Sequence, residues 1–184
     1  MVHFLIFADR GLLSIDDKVS KYIPEFAKME ISELSDDGKL LGTHPAENEI
    51  TIKHLMTHSS GIGSGNTQVL PEGGQAAHAK KTLGEAVMAY SDSLLDFEPG
   101  TNASYSPFGA YDVLARIIEI VSGMEYEEFL KKEIFEPCRM VDTTFEPSPE
   151  QWERMITMHN KLEGKSVLGE TFEGCVFADI PTSH

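Results

Sequence analysis

The sequence has few basic residues and no long apolar run. Among its 184 residues, 15 are lysine or arginine and 30 are aspartate or glutamate, which gives a formal net charge of −15. Because a protein that binds the phosphate backbone of a nucleic acid needs a basic surface, this charge argues against nucleic acid and against an anionic membrane surface as partners. No stretch reaches the ~20 consecutive apolar residues of a transmembrane helix, so no membrane span is predicted.

Cysteine is also scarce, with Cys138 and Cys175 as the 2 cysteines of the chain. A single pair does not make a disulfide scaffold, and two reduced thiols are favoured over a disulfide, although the pairing stays open. The apolar residues 2–8 lack the basic segment of a signal peptide and run directly into Asp9 and Arg10. No targeting segment is predicted, which leaves both a cytoplasmic and an exported protein open.

The composition is otherwise that of a folded protein, with 41% hydrophobic and 24% charged residues. Apolar periodicity and capping residues predict a mainly helical chain. The predicted helices span residues 2–8, 18–22, 52–58, 82–95, 108–122 and 125–132, with a short one after Ser148, and the predicted strands span 29–34, 39–43, 155–159 and 165–168. The first two strands flank the turn Ser35–Gly38 and are expected to form a hairpin.

Local signals define the ends of two of these helices. Thr82 and Glu85 form a capping box, and Ser106 followed by Pro107 is the favoured order at a helix start. Gly123 supplies a left-handed stop for the helix that begins after Ser106. That helix is apolar nearly all round and is expected to be a core helix covered on several sides. Its narrow polar strip consists of Asp112, Arg116 and Glu119.

A polar, glycine-rich stretch at residues 61–81 is predicted to be an exposed loop. Loops of this length are uncommon inside compact domains and often border a functional site. Towards the end of the chain the signals weaken, and residues 174–181 are also predicted to be loop.

Two histidines, His54 and His58, are four residues apart on the predicted helix 52–58 and would share one face. Zinc ligands use this spacing, but a hydrolytic zinc helix carries a glutamate where this chain has Leu55, and no third ligand follows. Histidines that satisfy backbone groups near the helix end are therefore favoured, and neither a metal nor another cofactor is predicted. Ser59 follows His58, but without a Gly-x-Ser-x-Gly elbow a turn is favoured over a nucleophile–base pair.

Tyr105 stands just before the capped core helix, where a rigid support can hold a side chain at the edge of a cleft. A free phenol has a pKa of about 10 and is a weak base at neutral pH, but a nearby ammonium group would lower that pKa. From the residues alone, a packing role for Tyr105 is favoured over a catalytic one.

Four stretches of the sequence, which follow one another in a fixed order, together form a recognisable pattern. They are residues 11–26, 51–61 (TIKHLMTHSSG), 97–123 (FEPGT, then YSP, then DVLARIIEIVSG) and 134–145 (IFEPCRMVDTTF). This pattern resembles the serine β-lactamase-like family, which includes class C β-lactamases, penicillin-binding proteins and β-lactamase-like carboxylesterases. The second stretch is similar to the family's ITIRHLLTHTSGL, and the third to its PGT, YSN and VSG sequence.

The resemblance implies a fold as well. It predicts a mainly α chain: the helical domain of the β-lactamase/transpeptidase-like α+β fold, with a few short strands and most of the main antiparallel sheet missing. Residues 1–184 would then form a single partial domain. Within it we expect the end of the helix on the nucleophile side (1–10), a helical region (11–154) and a return segment towards the α/β domain (155–184).

The resemblance also implies roles for individual residues. In the family, a Ser-x-x-Lys motif supplies the nucleophile and a proton acceptor, and a Tyr-x-Asn motif supplies a second general base. A Lys-Thr-Gly or His-x-Gly strand lines the far side of the cleft. Tyr105 matches the tyrosine, which makes it the general-base candidate, and Ser106 beside it is a weaker substrate-binding candidate. Pro107 replaces the asparagine, which fits an esterase-like or peptidase-like member better than a β-lactamase. No serine before Tyr105 has a lysine three residues later, and the strand motif is absent.

Two functions follow from these expectations. The first is part of a serine hydrolase that cleaves a small ester, amide or peptide-like substrate through an acyl-serine when complete, and that is inactive as this chain alone. The alternative is a non-catalytic helical module that binds a partner. Because the helix 108–122 has few predicted neighbours to cover it, self-association through an exposed apolar face stays open.

Overall fold

The computed structural model describes residues 2–63 and 82–156, together with the backbone of residues 159–162 and 165–168. Helices predominate in this part of the chain, as the sequence predicts. The α-helices are α1 (Val2–Asp9), α2 (Ile52–Met56), α3 (Leu83–Ser91), α4 (Gly109–Ser122), α5 (Tyr126–Leu130) and α6 (Pro149–Glu153), and the strands are β1 (Glu30–Leu34), β2 (Leu40–Pro45), β3 (His159–Leu162) and β4 (Lys165–Leu168). Residues 64–81 of the predicted loop 61–81 lie outside the described residues, as do the predicted loop 174–181 and Cys175.

Helix α4 is the centre of the core, and α2, α3 and α5 all pack against it. It ends at Gly123, which adopts the predicted left-handed conformation with φ of 68°. The expectation of a core helix covered on several sides is confirmed, although two of its apolar residues, Tyr111 and Ile120, remain 44% and 42% exposed. At the opposite edge of the core, Phe7 of α1 stacks on Phe129 of α5, with ring centroids 5.0 Å apart.

The polar strip of α4 contributes to packing. Glu119 is 8% exposed, which the sequence pattern does not predict. One oxygen of its carboxylate accepts a hydrogen bond of 2.7 Å from Arg116, and the other accepts one of 3.2 Å from the backbone N–H of Tyr126. These partners satisfy the buried charge and tie the end of α4 to the start of α5.

Strands β1 and β2 form the predicted antiparallel hairpin, with Glu30 opposite Pro45. A third segment extends the outer edge of β1. The backbone N–H of Leu95 donates to the carbonyl oxygen of Glu30 at 2.8 Å, and the N–H of Ser32 donates to the carbonyl oxygen of Leu95 at 2.9 Å. The chain that leads from α3 towards α4 is therefore fixed in register against the hairpin.

Helix starts agree with the sequence better than helix ends. The capping box of Thr82 and Glu85 is present, and Ser148 forms a second one with Gln151 at the start of α6. The predicted helix 82–95 ends early, at Ser91.

Other predicted bounds are also wrong. The predicted helix 18–22 is a single 3₁₀ turn, Val19–Lys21, and beyond Leu130 the predicted helix 125–132 continues as a π-helical turn, Lys131–Phe135. Strand β4 is confirmed, whereas the strand predicted at 155–159 begins only at His159.

None of the described helices has the length and apolar character needed to cross a bilayer.

Candidate functional site

The segment before α4 places Tyr105 at the surface. Its side chain is 68% exposed, and its hydroxyl group makes no hydrogen bond to a residue that the structure describes. The ring lies against the imidazole of His58, with centroids 4.8 Å apart and planes inclined at 58°. We call these two residues the tyrosine–histidine pair. Tyr105 is therefore accessible to a ligand, and it is not sealed in the core.

Ser106, the next residue, points the other way. It is 1% exposed, and its Oγ accepts a hydrogen bond of 3.3 Å from the backbone N–H of Ala110 in the first turn of α4. Helix α4 begins at Gly109 with Phe108 as its N-cap residue, so the prediction that Ser106 is the N-cap and Pro107 the first helical residue is wrong. Ser106 contacts the first turn of α4 from two residues before that N-cap. The Ser106 hydroxyl group fixes the helix start immediately beside Tyr105.

His58 contacts the backbone on both sides of Tyr105. Its carbonyl oxygen accepts a hydrogen bond of 3.0 Å from the N–H of Ser104, and its Nδ1 accepts a long one of 3.4 Å from the N–H of Ser106. Its imidazole also meets the ring of Tyr111 at 5.6 Å, edge to face. The backbone of His58 is left-handed, with φ of 55°.

His54 and His58 do not share a helix face, so that prediction is wrong. Helix α2 ends at Met56, and the left-handed backbone of His58 directs its side chain away from the helical spacing. Nδ1 of His54 accepts a hydrogen bond from the N–H of Thr51, so His54 satisfies a backbone group as predicted, but at the start of α2 and not near its end. Burial lowers the pKa of His54, and the charge of Lys53 lowers it further. No group of three or more metal-ligating side chains occurs in the described residues.

Ser59 is not paired with His58. Its Oγ hydrogen-bonds the hydroxyl group of Thr57 at 2.8 Å, and its N–H donates to the carbonyl oxygen of His54 at 2.8 Å. These contacts are those of a turn after a helix, which is the interpretation that the sequence favours.

An open groove of about 490 Å³ lies beside His54, and neither member of the tyrosine–histidine pair lines it. Its lining is polar and of mixed charge, and the ion pair between Lys18 and Glu49 occupies part of it. The lining residues are Lys18, Glu47, Asn48, Glu49, Thr51, His54, Pro99, Gly100 and Thr101. Because Lys18 and Glu49 pair with each other, this groove offers less for chemistry than the exposed phenol.

Two aspartate carboxyl groups, one of them in the first turn of α4, have raised pKa values. Burial raises the pKa of Asp112 to about 6, partly offset by a hydrogen bond of 3.3 Å from the Tyr90 hydroxyl group. Burial raises the pKa of Asp96 to about 6 as well. The sequence pattern predicts neither shift, because it assigns Asp112 to a polar strip and carries no signal at Asp96.

Sequence reasoning also missed His58 as the neighbour of Tyr105. It singled out His58 as a zinc or nucleophile partner instead. The available signal was its position in the stretch 51–61, which resembles a family motif, but no local pattern indicates what this histidine touches.

Comparisons with known proteins agree with this architecture. A family model described as Beta-lactamase matches residues 2–169. The lovastatin esterase of Penicillium rubens is 36% identical over 143 residues, covering 74% of this chain and 34% of that protein. The D-alanyl-D-alanine-carboxypeptidase/endopeptidase AmpH of Escherichia coli K12 is 30% identical over 152 residues, covering 80% of this chain and 34% of that protein.

A solved structure shares the fold. The unliganded, selenomethionyl simvastatin synthase LovD from Aspergillus terreus superposes with a TM-score of 0.73 at 22% sequence identity, covering 98% of this chain and 45% of that one. The described helices and short sheets are therefore part of a β-lactamase/transpeptidase-like fold. The chain spans about a third of the length of the two curated relatives. With the family model matched over most of its residues, the chain belongs to the β-lactamase family.

Proposed function

We propose that this chain forms the tyrosine-bearing wall of a serine-hydrolase active site, and that Tyr105 is its general base. The observation that carries the proposal is the exposed phenol held against His58 at the start of a buried helix. The substrate class would be a small ester, amide or peptide-like molecule, in line with relatives named as an esterase and a carboxypeptidase. We retain the expected division into residues 1–10, 11–154 and 155–184 as part of the same proposal.

The proposed reaction has two proton transfers at Tyr105. A serine hydroxyl attacks the carbonyl carbon of the substrate while the Tyr105 oxygen accepts the serine proton. The phenol then donates that proton to the leaving alcohol or amine as the acyl-serine forms, and water later hydrolyses the acyl-serine by the reverse roles. A phenol whose free pKa is about 10 needs a cation beside it to do this at neutral pH, and a lysine is the proposed source.

The nucleophile and that lysine would come from outside these residues, because no serine upstream of Tyr105 has a lysine at the third following position. We therefore expect the isolated chain to be inactive. Pro107, which has no amide side chain, supports an esterase or peptidase over a β-lactamase. Ser106 as a substrate-binding residue stays a prediction, since its Oγ is engaged by α4.

The isolated chain can be tested with a fluorophosphonate probe and a chromogenic ester. We expect neither stoichiometric labelling nor hydrolysis above the buffer rate. Labelling of one serine in this chain, lost when that serine is replaced, would overturn the proposal that the nucleophile lies elsewhere.

The role of Tyr105 needs a complete site. In a chimera, the residues of this chain replace the corresponding 143-residue stretch of the lovastatin esterase. Tyr105→Phe should lower kcat for ester hydrolysis ~10²–10⁴-fold, whereas Tyr111→Phe, which alters the other tyrosine beside His58, should not. An active Tyr105→Phe chimera would contradict the proposed general base.

The second candidate function, a non-catalytic helical module, is favoured by one observation. Apolar side chains of α1 face outward, with Val2 and Leu5 both 60% exposed. An exposed apolar face of this kind marks an association site when it is large. Sedimentation that shows a monomer over a wide concentration range, with no binding of a hydrophobic dye, would count against this function.

A further inference from the structure

We propose that His58 is the positioning residue for Tyr105, fixing the tyrosine through its backbone, its Nδ1 atom and its ring at once. The catalytic meaning of this inference rests on the proposed role of Tyr105, but the contact itself can be tested without any activity. The inference assigns a function to a histidine that the sequence associates only with metal binding or with a helix end.

The first part of the argument is the backbone. Tyr105 lies in an exposed segment without regular structure, at residues 102–105. The peptide groups on either side of it donate to a single residue: the N–H of Ser104 to the carbonyl oxygen of His58, and the N–H of Ser106 to its Nδ1. Two bonds from flanking peptide groups to one residue restrict the backbone of Tyr105 far more than either bond would alone.

The second part is the ring. An exposed tyrosine in an irregular segment would normally sample several rotamers. Here the imidazole lies between the rings of Tyr105 and Tyr111, at centroid distances of 4.8 and 5.6 Å. Tyr111 belongs to α4, so the imidazole links the exposed phenol to the helix that forms the centre of the core. The hydroxyl group of Tyr105, which bonds none of the residues that the structure describes, can meet a substrate while its ring is held.

The third part is the backbone of His58 itself. A φ of 55° is unfavourable for a residue with a Cβ atom, and glycine or asparagine would adopt it more readily. Such outliers concentrate at functional sites, where the surrounding contacts hold them in place. The left-handed turn is what brings both the carbonyl oxygen and Nδ1 of one residue to the same stretch of chain.

The design of variants separates these contributions. His58→Gly keeps the backbone conformation and the carbonyl acceptor but removes Nδ1 and the ring. In His58→Asn, the asparagine also tolerates a left-handed backbone, and its side-chain oxygen lies near the position of Nδ1. This variant therefore keeps a hydrogen-bond acceptor for the N–H of Ser106 but lacks the ring. His54→Asn is the matched control. His54 also accepts a backbone N–H through Nδ1, but it lines the open polar groove and does not lie beside Tyr105.

The first measurement uses the isolated chain and nuclear magnetic resonance. In His58→Gly, we expect the amide of Ser106 to exchange its hydrogen ~10-fold faster and the ring signals of Tyr105 to move to the shifts of an unrestrained tyrosine. His58→Asn should recover the Ser106 protection but not the Tyr105 shifts, and His54→Asn should change neither. An unchanged Ser106 amide and unchanged Tyr105 ring signals in a folded His58→Gly protein would overturn the inference.

The second measurement uses the chimera described above. We expect His58→Gly to lower kcat ~10–100-fold with little change in KM, and His58→Asn to recover part of the loss, because a misplaced general base slows chemistry more than binding. Full activity of His58→Gly in a chimera that Tyr105→Phe inactivates would refute the positioning role. If Tyr105→Phe stays active while the resonance changes occur as expected, the general-base proposal fails and the contact inference stands.

Discussion

Asp112, in the first turn of α4, carries a charge where the fold disfavours one. Its side chain is half-buried, and the hydroxyl group of the fully buried Tyr90 donates to it at 3.3 Å. Burial raises its pKa from 3.8 to about 6. Because the folded protein binds this proton more tightly than the unfolded chain does, the Asp112 contribution to the free energy of unfolding falls as the pH rises from about 4 to about 6.

The size of the effect follows from that shift. A rise of about two pKa units corresponds to at most ~3 kcal/mol, and solvent that reaches the half-buried carboxylate reduces the figure. Asp112→Asn removes the charge and keeps an oxygen that can accept the Tyr90 hydrogen bond. We expect the variant to be ~1–3 kcal/mol more stable than the parent protein at pH 7, and about equal to it at pH 4, where Asp112 is neutral.

Urea unfolding, followed by circular dichroism between pH 4 and pH 7, measures this difference. Removing any acid from a chain with a net charge of −15 relieves some general repulsion. Asp92→Asn is therefore the matched control, since Asp92 is exposed at the end of α3. Equal stabilisation by the two substitutions, or a gain from Asp112→Asn that is the same at pH 4 and pH 7, would refute the reasoning.

Two further predictions concern single hydrogen bonds. Ser106→Ala leaves the N–H of the fully buried Ala110 without its acceptor and should lower the free energy of unfolding by ~1–2 kcal/mol, measured by urea unfolding; an unchanged midpoint would contradict the capping role. Tyr22→Phe should raise the pKa of Asp17, which lies at about 2 chiefly because the Tyr22 hydroxyl group donates to it at 2.6 Å. The parent protein loses stability at that carboxyl as the pH falls from about 4 to about 2, and in Tyr22→Phe this loss should be smaller and complete at a higher pH. A titration by nuclear magnetic resonance that still gives a pKa of about 2 would rule out this cause.

Features decided by neighbouring residues could be predicted from the sequence. The capping boxes at Thr82 and Ser148 are present because the two side chains of each box lie three residues apart and satisfy each other's N–H groups. The stop at Gly123 and the hairpin around Ser35–Gly38 depend likewise on the local conformations that these residues favour. The start of α4 was predicted only approximately, because the structure has Phe108 and not Ser106 as the N-cap residue.

Features decided by distant residues could not be predicted. Glu119 is charged, so the pattern assigns it to a solvated strip, but its burial depends on Arg116 and on the N–H of Tyr126 beyond the helix end. The pKa of Asp112 depends on Tyr90, which another helix contributes. His58 has no local signal for its left-handed backbone, because the groups that hold it come from the segment around Tyr105.

The tyrosine–histidine pair ultimately depends on the register between two irregular segments. The N–H of Asp96 donates to the carbonyl oxygen of Gly61, and the N–H of Gly100 donates to that of Ser59, both at 2.8 Å. A Cβ atom at Gly61 would lie 2.3 Å from the carbonyl oxygen of Phe97, and the φ of this residue is 80°, so only glycine allows the two segments to approach so closely. Gly61, which the sequence assigns to a polar, glycine-rich stretch, is therefore also the point where the segment after the histidine turn meets the segment that leads to Tyr105. The geometry of the proposed base thus depends on backbone packing as well as on its own contacts.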